Sequence, residues 1–325
     1  MKFVGIDISK LSFDVALSNN GTYQTGKFDN NLKGFKSFSK WRSQFDDTFI
    51  FCMEATGVYG NNLAKFLYQD NEKVIVSNPL KTHAFTKMEL CRNKTDQTDA
   101  ISLAKYCEYL STSTKLNENL YKPKSESAER LQYLVTRLEQ LNKNHLQETS
   151  RLEICQDQEI KKSIRSMVRH IANQIERIKQ SIKNVIAKDG KLNTQFSLLV
   201  SINAIGEKTA WAILAYLGDI SKFKNSKQVS SYAGLNPKIQ QSGTSINRSS
   251  LSKVGHKNLR NALYMPAIVS VRFNPLMAEL YSRLKKKNKS GKLAICAVMR
   301  KLLVIAYGVL KSGKPFDPDY ALTNN

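Results

Sequence analysis

Five short apolar runs, each stopped by turn residues, fill the first 77 positions of the chain. Residues 2–8 (KFVGIDI), 12–18 (SFDVALS) and 22–29 (TYQTGKFD) are β-type runs, and Asn19-Asn20-Gly21 reads as a turn between two of them. A helical stretch follows over 32–44. A fourth strand, 48–53, runs into Glu54. A helix over 58–70, a fifth strand over 73–77, a breaker at Pro79 and a helix over 99–110 complete the series. Strand–strand–strand–helix–strand–helix–strand predicts an α/β layer with a mixed sheet. The polar, turn-rich segment 111–127 (STSTKLNENLYKPKSES) marks a domain boundary.

Four carboxylates stand at the ends of these elements: Asp7 in FVGIDIS, Glu54 in FCMEATG, and Asp96 and Asp99 in KTDQTDA. Acids there add nothing to a core, and a fold that gathers them needs a cation among them. If the strands ending in Asp7 and Glu54 lie side by side, both acids share one rim of the sheet. Asp96 and Asp99, three residues apart, face one side of a helical turn, with Thr95 or Thr98 as its cap and Lys94 balancing the charge. Hard oxygen donors without neighbouring Cys or His suit Mg²⁺, with Mn²⁺ as the alternative. Two such ions would serve an in-line phosphoryl displacement.

The charge balance supports a polyanionic partner. Lys and Arg number 50 against 27 Asp and Glu, a formal net charge of +23. Residues 1–110 hold 14 basic and 12 acidic side chains, whereas residues 220–316 hold 19 basic ones and the single acid Glu279. The cations of the C-terminal third therefore read as a phosphate-binding surface. The five cysteines are scattered without a CxxC, which reads as reduced thiols, and the four scattered histidines argue against zinc. MKFVGIDISK enters a strand at once without a signal-peptide shape, and Arg300 and Lys301 interrupt the apolar stretch 293–310. A cytoplasmic, nucleoid-associated protein without a membrane partner is the expectation.

Beyond the boundary, Leu131, Leu134, Leu138 and Leu141, then Ile164, Val168, Ile171, Ile175, Ile178, Ile182 and Val185, alternate spacings of three and four. That narrow seam predicts a coiled-coil segment over 124–190, folded back near 155–159 and ended by Gly190, and it offers a contact for a dimer or tetramer. A mainly α domain over 191–325 follows, compact and helical from Phe196. Its segment 201–219 (SINAIGEKTAWAILAYLGD) looks like a helix–hairpin–helix: Gly206 permits a tight turn, and the helix start at Lys208 offers amides to a phosphate. Ala204 stands where such hairpins commonly have Gly or Pro. The run RLKKKNKSGK (283–292), with Lys285, Lys286 and Lys287, is a further candidate for nucleic-acid contact.

GIDISK, MEATGVYG and KTDQTDA, in this order and spacing, resemble the RNase H-like (RuvC-like) domain of the DEDD transposases of bacterial insertion sequences, a pattern shared by pilin-gene invertases. The resemblance implies that residues 1–115 are an RNase H-like catalytic domain and that Asp7, Glu54, Asp96 and Asp99 bind Mg²⁺. Residues 231–267 (SYAGLNPKIQQSGTSINRSSLSKVGHKNLRNALYMPA) resemble the C-terminal transposase domain of that family, whose serine attacks the DNA phosphate to give a phosphoserine link. That role maps onto Ser242, with Ser245 as the fallback in a Ser/Thr-rich loop. Arg248, Lys253, Lys257 and Arg260 could hold the phosphate. No His or acid lies near Ser242 in sequence to deprotonate it, so carboxylates and serine are expected to form one composite centre. The resemblance also implies double-stranded donor and target DNA and a structured guide RNA; the coiled-coil seam and the need for several active sites point to a dimer or tetramer.

The reading is a site-specific DNA recombinase, an insertion-sequence transposase guided by RNA. Its rivals are a RuvC-like resolvase or nuclease using metal-activated water, a DNA invertase with the same chemistry, and a binding protein without activity.

Overall fold

The computed structural model describes residues 1–19, 21–55, 57, 59–89, 95–112, 116–242 and 246–317. The chain forms two compact units, Met1–Pro123 and Lys124–Asn325.

The first unit is built on a five-stranded mixed sheet, β1 (Lys2–Ile8), β2 (Ser12–Asn19), β3 (Thr22–Asp29), β4 (Phe49–Glu54) and β5 (Lys73–Ser77), in the order β3-β2-β1-β4-β5. β1, β4 and β5 run parallel, and β2 and β3 are antiparallel additions at one side. Helices α1 (Leu32–Arg42) and α2 (Asn61–Gln69) cover one face. Phe13, Phe35, Phe38 and Phe51 form an aromatic cluster there with ring centroids 5.5–6.0 Å apart. The other face packs Ile50, Cys52 and Ile75 against α3 (Pro79–Met88) and α4 (Asp96–Ser111). The short α5 (Leu116–Asn119) follows, and Leu120 bridges back to Ile75.

The strands lie where alternation and turn residues place them. Two expectations change. Pro79 does not break the chain. It is the first residue of α3, where its missing N–H costs nothing, and Asn78 Oδ1 caps the turn by accepting from the Leu80 amide at 2.9 Å. The helix expected to begin at Asp99 begins at Asp96, because Thr95 is its N-cap. The Asn19-Asn20-Gly21 turn falls partly outside the described residues, as does Lys94.

The second unit opens with two long helices, α6 (Glu126–Ile154) and α7 (Gln158–Lys188), turning back at 155–157 as the broken seam predicts. Asp157 caps the return by accepting from the Glu159 and Ile160 amides. Leu131, Val135, Leu138 and Leu141 on α6 and Ile171, Ile175, Ile182 and Ile186 on α7 are buried in one core with the helices that follow. This half of the seam is therefore satisfied within the chain. Between residues 142 and 170 no side chain is fully buried, and Leu146, Ile154, Ile160 and Met167 are exposed.

Gly190 does not end the helical segment. Asp189 breaks it and at once caps α8 (Gly190–Val200) by accepting from the Leu192 amide. Next come α9 (Glu207–Leu217), α10 (Ser226–Tyr232), the hairpin β6 (Pro237–Ser242) and β7 (Ile246–Leu251), then α11 (Lys257–Ala262), α12 (Tyr264–Phe273), α13 (Pro275–Lys286) and α14 (Gly291–Ser312). The expected Ser/Thr-rich loop is thus an antiparallel hairpin, with Ser249 and Ser250 inside a strand. Helix α14 is long and apolar enough to cross a membrane, yet half of its most apolar stretch is buried, and it packs on α8, α10, α12 and α13.

Candidate active site

The site in the first unit follows from strand register. Asp7 on β1 pairs with Asp14 on β2, and Asp14 pairs with Lys27 on β3. On the other side β1 and β4 pair in parallel up to Ile6 and Met53, so Asp7 and Glu54 are the next residues on adjacent strands. Glu54 in turn pairs with Ser77 on β5. Cross-strand partners share a face, so Lys27, Asp14, Asp7, Glu54 and Ser77 form one row across the sheet. The row lies at the carboxyl ends of the parallel strands β1 and β4, where α/β sheets bind their ligands.

Helix α4 brings the remaining acids to this face. Gly5, two residues before Asp7, is the point of contact: a Cβ there would stand 2.0 Å from the Ala100 carbonyl oxygen and 2.3 Å from the Ala104 amide nitrogen. Only a glycine lets the helix backbone come so near the strand. Asp96 and Asp99 occupy the first turn of α4, just before Ala100. Thr95 and Thr98 form a reciprocal cap: the Thr98 amide donates to Thr95 Oγ1 at 3.2 Å, and the Thr95 amide donates to Thr98 Oγ1 at 2.8 Å. This fixes the turn, and the positive helix end favours its two acids.

The electrostatics show that the acids feel one another. Burial, and then the charges of Asp99, Asp96, Glu54 and Asp14, push the Asp7 carboxyl up to about 6. Glu54 Oε2 accepts from Thr82 Oγ1 of α3 at 3.1 Å, which orients it. Lys27 Nζ stands 3.2 Å from Asp14 Oδ2 and 4.0 Å from Asp96 Oδ2, so a lysine of β3 is the described cation of the site. Among the described residues no three of these side chains are drawn into ion-holding geometry. The donor set nevertheless fits a divalent ion: it is all oxygen, and Asp7 carries a charge penalty that a cation would remove.

Sequence reasoning found the four carboxylates and missed Gly5, Asp14, Lys27 and Thr82. A signal for Asp14 was present. It is an acid inside the apolar run of β2, and its residue exposure is only 7%.

In the second unit, Ser242 is the last residue of β6, paired with Ile246, so the hairpin carries it to the tip. Ser245 lies outside the described residues, and Arg248 is a residue of β7 paired with Gln240. The hairpin is pinned at its base. The Ser252 amide donates to the Asn236 carbonyl at 2.9 Å, the Lys253 amide to Gly234 at 3.2 Å, and the His256 amide to Tyr232 at 2.6 Å. Gly234 and Gly255 belong to the segments YAGL and SKVG, and both have positive φ. A Cβ on Gly255 would stand 2.5 Å from the Gly234 nitrogen and from the Tyr232 oxygen. These glycines serve close packing of two loops.

Arg260 also has a structural task. One guanidinium nitrogen donates to the Ala233 carbonyl at 2.9 Å and to the Lys253 carbonyl at 3.1 Å, tying both loops to α11. His256 accepts from the Leu259 amide through Nδ1 and lies against the Tyr216 and Tyr232 rings. Burial, with Lys124 and Arg260 nearby, pushes its imidazole toward the neutral form. Lys253 and Lys257 are exposed beside it. Lys208 is exposed in the first turn of α9, whose N-cap Gly206 supplies no side chain, and Ala204 takes the left-handed φ of +77° in the turn before it. Lys285, Lys286 and Lys287 are exposed at the end of α13, where they also offset its negative end.

Comparison with known proteins matches both units. Residues 4–159 match the IS110-type DEDD transposase family, and residues 196–282 match the transposases of the IS116/IS110/IS902 family. The pilin gene-inverting proteins of Moraxella lacunata and Moraxella bovis are each 37% identical over 320 residues, 97% of this chain and 97% of theirs. The transposase for insertion sequence element IS1328 of Yersinia enterocolitica is 30% identical over 151 residues, 45% of this chain and 44% of its own length. DEDD transposases generally use a divalent metal. An acidic row at the strand ends, a strongly basic remainder and an end-to-end match converge: the chain belongs to the IS110 family of transposases and is a DNA transposase/recombinase.

Proposed function

We propose that this enzyme cuts and rejoins two DNA sites through a covalent serine link, with Mg²⁺ held by Asp7, Glu54, Asp96 and Asp99. The observation that carries the proposal is the acidic row at the end of β1 and β4, joined by the first turn of α4. A bound divalent ion supplies charge stabilisation for the phosphate and its departing oxygen. Thr82 keeps the Glu54 carboxylate oriented, and the Thr95–Thr98 cap keeps Asp96 and Asp99 on one turn.

In the proposed reaction the Ser242 oxygen forms a bond to phosphorus as one deoxyribose oxygen leaves. The serine proton departs to solvent or a base, and the leaving oxygen gains one. Attack by a deoxyribose hydroxyl on the phosphoserine then restores a phosphodiester and frees Ser242. Each step exchanges one phosphate ester for another, so no nucleotide triphosphate is needed. Arg248 lies on β7 of the hairpin bearing Ser242, Lys253 and Lys257 follow that hairpin, and all three suit phosphate contact. Lys208 at the start of α9 and Lys285, Lys286 and Lys287 at the end of α13 extend the basic surface for double-stranded DNA and for a structured guide RNA. The division of labour is a carboxylate domain (1–115), a helical hairpin (124–190) and a serine-bearing domain (191–325). Exposed apolar residues on the outer half of the α6–α7 hairpin support assembly as a dimer or tetramer.

The test is a denaturing gel of enzyme incubated with labelled substrate DNA. A protein–DNA adduct is expected for the unaltered chain and none for Ser242→Ala; an adduct that persists in the variant sinks the serine assignment. Substrate DNA comes in two forms. Excision and insertion define a transposase, whereas the end-to-end match to pilin gene-inverting proteins favours testing inversion of a segment between two sites in one plasmid.

A further inference from the structure

We propose that Lys27 is the built-in counter-ion of the carboxylate site, docked by Asp14, and that a divalent ion loads by taking Asp96 from it. The inference rests on the reading that the carboxylates hold a divalent ion.

Asp14 is the observation that requires an explanation. It is an acid with 7% exposure, directly opposite Asp7 in an antiparallel pair. Like charges directly opposite in a sheet destabilise it, and a buried acid costs free energy unless it is paired. Asp14 is paired, with Lys27 at 3.2 Å on the next strand. The pairing aims the lysine rather than neutralising it, since the same Nζ reaches to 4.0 Å from Asp96 Oδ2 at the start of α4. The Asp14 side chain is 10% exposed while those of Lys27 and Asp96 are 59% and 68% exposed. One end of the bridge is therefore anchored and the other can open.

Two consequences follow. Without a metal, Lys27 ties β3 to the first turn of α4 and offsets the charges of Asp14 and Asp96. With a metal at Asp96, the ammonium and the ion repel, and Lys27 retreats to Asp14 alone. Lys27 and Asp14 are thus positioning residues for the metal site. The lysine keeps the acids in place before loading and sets a threshold that a divalent ion must overcome.

The experiment is calorimetric titration of the purified full chain with MnCl₂, with thermal unfolding measured without metal and at saturating Mn²⁺. Lys27→Met is expected to bind Mn²⁺ roughly three- to tenfold tighter, as removal of a nearby cation predicts. It should unfold at a lower temperature without metal, and the deficit should narrow at saturating Mn²⁺, where only the Asp14 pair is lost; a purely structural lysine would lower both equally. Lys27→Arg should bind like the unaltered chain. In an Asp14→Asn background, where the lysine is no longer docked, the Lys27→Met gain should shrink below about twofold. Unchanged or weaker Mn²⁺ binding by Lys27→Met overturns the proposal, as does an undiminished gain in the Asp14→Asn background. Asp7→Asn separates the two layers of the argument. If it leaves Mn²⁺ affinity intact, the metal assignment itself is wrong and the inference falls with it.

Discussion

The acidic rim of the sheet and the tip of the β6–β7 hairpin are built in opposite ways. The rim is set by the register of five strands and by a helix seated on Gly5, so its side chains are positioned from several directions. The hairpin has two strands and is secured at its base by Gly234, Gly255 and Arg260, while Ser242 stands at the far end. A metal site needs several donors held at once, and a wide sheet provides that. The proposed serine nucleophile needs one atom delivered to a substrate, and a narrow arm would provide that with fewer constraints. The charge follows the same division, with acids gathered at the rim and cations around the arm.

The largest effect should come from the rim. Asp7→Ala is expected to lower strand cleavage by at least about a thousandfold, a loss in keeping with removal of a group that stabilises transition-state charge. Filter binding of substrate DNA should change by less than about threefold; equal losses of binding and cleavage would erase the contrast between the two regions. Close packing comes next. Gly5→Ala forces α4 away from β1, so unfolding by urea should show a loss of roughly 2–4 kcal/mol together with loss of cleavage. Gly255→Ala should cost roughly 1–3 kcal/mol, from overpacking and from a φ of +148° that side chains avoid. Unlike Gly5→Ala, it should leave Mn²⁺ binding unchanged.

A smaller effect has a pH signature. The folded Asp7 carboxyl, at about 6, lies above its ordinary 3.8, so the charged form is disfavoured by the fold. The resulting penalty is absent below about 3.8, grows as pH rises to 6, and is complete above it. Asp7→Asn should therefore stabilise the metal-free protein above pH 6. Solvent access to the half-buried group limits the gain to roughly 1–2 kcal/mol. A gain of equal size at pH 3.5 would show that charge is not its cause. The smallest change is Ala204→Gly, which should add roughly 0.5–1 kcal/mol by relieving a left-handed alanine, read as a higher urea midpoint.

Much of the rim was legible because alternation and turn residues report strands directly, and acids at strand ends stand out against apolar runs. Lys27 was hidden for a physical reason: it looks like the polar member of an ordinary alternation. Asp14 stands out as an acid in an apolar run, yet only register reveals that both join Asp7. Gly5 was hidden because close approach of a helix leaves no mark on sequence beyond the glycine itself. Pro79 was read as a stop when it starts α3, since the same fixed φ serves both ends of the problem. The β6–β7 hairpin escaped because its strands are polar, with Gln and Ser in place of the apolar side chains that usually betray a strand. Lys94 lies outside the described residues, and a second cation, Lys27, reaches the site from a strand some seventy positions earlier in the chain.

The row across the sheet makes activity a readout of correct assembly. Side chains alternate between faces, so a slip of one residue between β1 and β2 would send Asp14 toward the aromatic layer and bring Phe13 or Val15 to the rim. A misassembled copy would thus lack the constellation altogether, rather than holding a loose version of it. For a DNA recombinase that works through this row as proposed, an all-or-none dependence on folding is a safeguard: a partly folded molecule would have no means of cutting.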